Sequence, residues 1–338
     1  MTLPARRTCV MAAVGLTTAL FASACGSSDA ETTEDGLTPL NMAFEWTCSG
    51  DWSVVYAGLE QGIFEKNGLA LSYDRGQGGS DTVPMVAAGE FDLGLLGAAP
   101  TIIGAGQGLP ITVVGAAATS GPVTILASPD IKSPADLEGH SLSVQTDQFE
   151  GAMWEAFVTA TGIDGSKVDV IPSDDATTTE FLDGKIDALV VFYPTASTQA
   201  ILDARPDLTV MPMQEYVPAY GHLMVANNSY LAENPDAVSG FVTAWTESAK
   251  WVLDNWDDAY DLLVSKCPEV DPAALEFSMD AYFDGYTGGY AAENGLGTFE
   301  IAGIETTQDM LESAGLAKDR PIDEFVTLEY LPSEPIVP

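Results

Sequence analysis

The residues with the most chemistry to offer cluster in short segments between apolar runs. Trp46, Ser49, Asp51 and Trp52 lie in one segment, Gly79, Ser80 and Asp81 in a second, Asp147, Gln148, Phe149 and Glu150 in a third. Phe192 and Tyr193 form a fourth, and Tyr216 and Tyr220 a fifth. Aromatic faces sandwich a flat ring, while hydroxyls, amides and carboxylates accept or donate hydrogen bonds at its edge. Each of these aromatics also fits ordinary core packing; Trp46 and Tyr220 stand apart because each adjoins turn residues. What is missing matters as much. The chain has 2 His and 4 Cys, with no Cys/His cluster at metal-ligand spacing and no evident His-based triad. The carboxylates Asp51, Asp147 and Glu150 have no His or Lys beside them in sequence to complete an acid/base pair. These residues predict binding without chemistry, and neither a metal nor a cofactor is implied.

Basic residues discriminate between ligand classes. Of 12 Lys and Arg residues, only Arg75 falls in a segment of this kind, so a multiply charged anion would find little side-chain help. A neutral or weakly basic heterocycle fits better. His222 reads as a strand residue and His140 as a surface-loop residue.

The elements that position these segments follow an α/β pattern. Strands are expected at 40–44, 69–73, 91–96 and 111–118, alternating with helices at 52–66, from Ser80, and at 99–107. In the first helix Trp52, Val55, Tyr56, Leu59 and Ile63 recur at spacings of three and four, an apolar face. Asn67-Gly68 supplies its stop, Ser80 reads as an N-cap, and Asp81 complements the next helix dipole. This order predicts a parallel sheet. A second unit has strands at 123–127, 141–144, 168–171, 188–192 and 208–211, with helices near 149–161, 177–182 and 194–203. One more strand at 222–226 precedes a mainly helical end, with the clearest stripe over 237–257. Two units with crossings near 120 and 220 would leave a cleft at the strand C-termini, where open α/β sheets bind ligands. The segments above are the loops at that edge.

The chain has 338 residues, 46% of them apolar, which is enough for about two domains. With 50 acidic side chains and a net charge of −38, it repels nucleic-acid phosphates and anionic lipid headgroups. Arg6 and Arg7 precede an apolar run from Val10 to Ala22, the form of an export signal rather than a membrane span. Residues 1–24 are therefore expected to be a removed leader, and 25–38 an acidic flexible tether. Residues 39–120 with 222–338 would make lobe I, and 121–221 lobe II. Cys48 and Cys267 are a permitted disulfide pair outside the cytoplasm, and Cys48 in a ligand loop is the competing reading.

Several motifs resemble a known family. Ala22-Ser23-Ala24-Cys25 resembles the bacterial lipobox, which implies a lipid on Cys25 and a chain held at the outer face of the cytoplasmic membrane. Gly62, Phe64, Gly68 and Leu69, then Gly89, Asp92 and Gly97, then Ala99-Pro100 hold the places of a pattern found in solute-binding proteins of ABC importers. That group takes aliphatic sulfonates, taurine, nitrate and thiamine-pyrimidine precursors, and 131–144 resembles its second-domain start. The likeness runs over about residues 40–332. Within the group, Glu45-Trp46-Thr47-Cys48-Ser49 with Tyr56 resembles the opening of the thiamine-pyrimidine binders. Tyr216-Val217-Pro218-Ala219-Tyr220 resembles their return crossover, and 295–299 with 329–332 their ends.

The resemblance implies a type II periplasmic-binding-protein-like fold, a monomer that closes on a small solute and delivers it to a permease with its ATPase. Trp46 and Tyr220 would flank the ring. Cys48, Ser49 and Trp52 stand where the subgroup has Pro, Asn and His, which points to a related but different heteroaromatic. Eukaryotic relatives are pyrimidine synthases that use their own histidine and a Cys-rich motif, and this sequence carries neither.

Overall fold

A computed structural model describes residues 32–338 apart from 34, 120, 122, 147, 148, 175 and 218. The leader, Cys25, most of the tether, and the expected ligand residues Asp147 and Gln148 lie outside the described residues.

Ten strands form two five-stranded sheets among the described residues. The first contains β1 (Thr38–Phe44), β2 (Leu69–Arg75), β3 (Leu93–Gly97) and β4 (Ile111–Ala116). The second contains β5 (Val123–Ala127), β6 (Ser141–Val144), β7 (Asp169–Pro172), β8 (Ala188–Phe192) and β9 (Thr209–Pro212). The last strand, β10 (His222–Asn227), returns to the first sheet, giving the orders β2-β1-β3-β10-β4 and β7-β6-β8-β5-β9. The two orders are equivalent: in each, one antiparallel strand, β10 or β5, is inserted beside the third parallel one. The first sheet is not the all-parallel one that the strand–helix alternation predicted, and the second is mixed as well. The inserted strand comes from the far side of a crossover, and local sequence does not encode its partners.

Local chemistry also ends some helices earlier than periodicity suggests. The helix expected over 52–66 is two, Trp52–Glu60 and Ile63–Lys66, because Gly62 takes a φ of 64° that breaks the ladder. The helix Gly79–Ala88 begins one residue before Ser80, with Gly78 at a φ of 109° as its cap and no side-chain capping bond. The long C-terminal stripe divides at Asn255 into Pro235–Asp254 and Trp256–Lys266.

The two crossovers run side by side. The amides of Ala117 and Ala118 donate to the His222 carbonyl at 2.8 and 3.0 Å, and Gly221 donates to Ala118 at 3.1 Å. A Cβ on Gly121 would sit 3.0 Å from the Ala219 carbonyl oxygen, so glycine permits this approach. The C-termini of β1 and β3, the start of β10 and the end of β8 open toward the space between the sheets, where the loops meet.

Candidate functional site

A cavity of about 500 Å³ lies between the sheets. The loop after β1 contributes Glu45, Trp46, Ser49 and Asp51; the end of β8 contributes Phe192 and Tyr193. Trp46 is 61% exposed and Phe192 38%, unusual for side chains of this size, and they face the same cavity from different sheets. Tyr193 packs on Phe277 at 5.1 Å, linking β8 to the helix Pro272–Thr287.

The loop after β1 is held at several points. The Gly97 amide donates to Glu45 Oε2, fixing that carboxylate at the end of β3. The Gly50 amide donates to Ser278 Oγ at 2.9 Å, and a Cβ on Gly50 would collide with the backbone at Ser278 and Met279. Cys48 and Cys267 form a disulfide, with Cα atoms 6.2 Å apart, tying the loop to the end of the helix Trp256–Lys266. Of the two sequence readings for Cys48, the structure shows the pair.

Asp51 precedes the helix Trp52–Glu60 yet makes no side-chain capping bond; instead its carboxylate accepts a hydrogen bond from the Ser49 hydroxyl. Burial pushes its pKa above the usual carboxylate range, partly opposed by the charge of His222 and by the Ser49 hydrogen bond. A carboxyl whose folded pKa is raised favours folding at low pH, and that advantage is lost as pH rises from the unfolded value of 3.8 through the folded one. Above that window the buried Asp51 carboxyl therefore costs stability. Asp51→Asn is expected to raise the melting temperature at pH 7 and to leave it unchanged near pH 3; a lower melting temperature at pH 7 would contradict this assignment.

Several expected site residues lie elsewhere. Trp52 stacks on Phe44 with centroids 4.0 Å apart, and Tyr56 packs against Trp52 and Tyr73, its hydroxyl 3.8 Å from Cys267 Sγ. Both point into the core because their helix is buried on every side from Trp52 to Gly58. Gly79 is buried where a Cβ would meet Pro100 and Glu45, while Ser80 and Asp81 are exposed in the first turn of their helix, and none of the three lines the cavity. Phe149 packs beside Phe192 at 6.3 Å without lining it.

Tyr220 is the main correction. It is 5% exposed, its hydroxyl accepts from the Glu300 amide at 2.7 Å, and its ring lies so close to Gly303 that a Cβ there would collide. It lines a second, adjoining cavity of about 460 Å³ and acts as a packed strut of the return crossover. Arg75 is exposed and lines neither cavity.

Sequence reasoning missed the helix Pro272–Thr287, whose Ser278, Ala281, Tyr282 and Gly285 line the cavity at helical spacing together with Asp284. Small residues recurring every three or four positions beside an aromatic were the available signal. It also missed His222, the first residue of β10, where the strand meets the cavity.

Comparison with known proteins gives a consistent picture. The chain is 22% identical over 312 residues to the formylaminopyrimidine-binding protein of Halalkalibacterium halodurans, covering 89% of this chain and 94% of that one. In fold it resembles the periplasmic aliphatic sulphonate binding protein SsuA of Escherichia coli, at a TM-score of 0.66 and 17% identity over 85% of this chain and 90% of that one. It resembles the desulfurization enzyme DSZB at a TM-score of 0.59 and 16% identity, over 86% and 97% of the two chains. These likenesses establish a two-lobed type II binding-protein fold, on which both binding and catalysis occur. The profile described as NMT1/THI5 like matches residues 50–259, and the chain belongs to that family.

Proposed function

We propose that this chain is the extracytoplasmic solute-binding component of an ABC importer, capturing a small heteroaromatic of the thiamine-pyrimidine precursor class and delivering it to a permease and its ATPase. The carrying observation is the pair of exposed aromatics, Trp46 and Phe192, that line one cavity from two sheets. A flat ring inserted between such faces gains contacts from both sheets only when they approach, so the ligand favours the closed arrangement. Residues 39–120 with 222–338 act as one lobe and 121–221 as the other, flexing at the paired crossovers. The relative named for formylaminopyrimidine binding supports the solute class. The lipobox-like Ala22-Ser23-Ala24-Cys25 supports release of a leader and a lipid on Cys25, which would hold the monomer at the outer face of the cytoplasmic membrane.

The cavity supports binding over turnover. Ser49, Asp51 and His222 all line it, but the Ser49 hydroxyl donates to Asp51. A serine nucleophile would instead give its proton to the imidazole, with the carboxylate behind that ring.

The test uses protein unfolded and refolded to remove any resident solute, then challenged with hydroxymethylpyrimidine, formylaminopyrimidine, ethanesulfonate and nitrate. Thermal stabilisation and a change in Trp fluorescence with a pyrimidine, recovered unaltered by mass spectrometry, are the expected results. A response to ethanesulfonate or nitrate alone overturns the solute class, and conversion of a bound pyrimidine overturns the non-enzymatic role.

A further inference from the structure

The charge around the cavity is one-sided. Glu45, Asp51 and Asp284 line it, and no lining residue is Lys or Arg among the described residues. The adjoining cavity shares Gln214 and Asp284 with it, adds Glu215 and Glu300, and likewise has no Lys or Arg in its wall. Among the described residues His222 is the one lining side chain able to carry positive charge, and it lies close enough to act on the Asp51 carboxyl.

The helix Pro272–Thr287 adds a like-charged row. Glu276, Asp280 and Asp284 recur at intervals of four, where carboxylates repel one another, and none of the three enters a salt bridge among the described residues. Burial, then Glu276 and Asp284, push the Asp280 carboxyl upward. An independent feature of the same wall points to a ligand. Tyr282 lines the cavity, is only 7% exposed, and its buried hydroxyl has no hydrogen-bond partner. A buried hydroxyl left unmatched costs free energy that a bound polar group can recover.

Aromatic faces with three carboxylates at their edge, against the single imidazole of His222, form the electrostatic complement of a cationic ring or a ring bearing an ammonium group. We propose that the cavity selects a positively charged heteroaromatic solute, its ring held by Trp46 and Phe192 and its charge held by Asp51 on one wall and Asp284 on the other. This rests on the solute-binding reading above and narrows it: within one ring system, the charged member is the preferred ligand.

The test compares aminomethylpyrimidine, an ammonium at neutral pH, with hydroxymethylpyrimidine, its uncharged counterpart of nearly equal size, by calorimetry on the refolded full-length protein. The charged compound is expected to bind about tenfold more tightly or better. Asp51→Asn is expected to remove most of that preference. Asp284→Asn, at an exposed helix position, provides the same reading should Asp51→Asn fold poorly. Equal binding of the two compounds, or tighter binding of the uncharged one, overturns the charge preference and leaves the solute-binding role intact. Binding of neither at millimolar concentration overturns both. A preference that survives both substitutions also overturns the proposal, because it would place the recognition of charge elsewhere.

Discussion

Trp46→Ala is expected to weaken solute binding by about 30-fold while leaving the melting temperature of the unliganded protein unchanged. The asymmetry follows from exposure. A side chain 61% exposed gives up little packing when truncated, yet it covers one face of whatever ring enters the cavity. Phe192→Ala is expected to act in the same direction by about tenfold from the opposite sheet. Tyr220→Ala provides the contrast: loss of a buried ring packed on Phe299 and hydrogen-bonded to Glu300 should destabilise the fold by about 3–5 kcal/mol. Calorimetric affinity and thermal melting on the same samples separate the two cases. A Trp46→Ala variant that binds normally would remove the ring-sandwich account.

Loss of the disulfide is the second large expected effect. Cys48 and Cys267 are separated by 219 residues, and by the chain-entropy relation closing a loop of that length stabilises the fold by about 5 kcal/mol. Measured values for native disulfides more often fall near 2–4 kcal/mol. The Cys48→Ala/Cys267→Ala double variant is therefore expected to melt about 5–10 °C lower. It should also lose affinity several-fold, because Cys48 sits between Trp46 and Ser49 and fixes the loop that presents them. Reductant applied to the natural sequence should reproduce both changes. Unchanged melting and unchanged affinity under full reduction would show that the Gly97–Glu45 and Gly50–Ser278 hydrogen bonds suffice to hold the loop.

The strands and the cleft edge were legible because each strand carries its own apolar run and each loop its own turn residues. The insertion of β10 between β3 and β4 was not, since its neighbours lie about a hundred residues upstream and are selected by the return crossover. The same limit separates Trp46 from Tyr220. Both adjoin turn residues, but only Tyr220 meets a glycine 83 positions downstream, at Gly303, and the backbone of Glu300. Trp52, from its place in the loop segment, and Tyr56, from likeness, were candidates for the ligand, although their spacing with Val55 and Leu59 already gave them a packing role. Tyr282 lies in a helix that the apolar patterning did not single out, and its unpaired hydroxyl emerges only in three dimensions.

Capture of a heteroaromatic solute is expected to proceed by approach of the two lobes. Its most direct test is the distance between spin labels carried by unnatural amino acids at Ser80 and Ala196, exposed positions on opposite lobes. Pyrimidine at a concentration just sufficient to fill the site should move the distance distribution to a shorter, narrower one, with a much smaller shift when Trp46→Ala is titrated at the same concentration. An unchanged distribution at a concentration where calorimetry shows the site filled would contradict capture by closure.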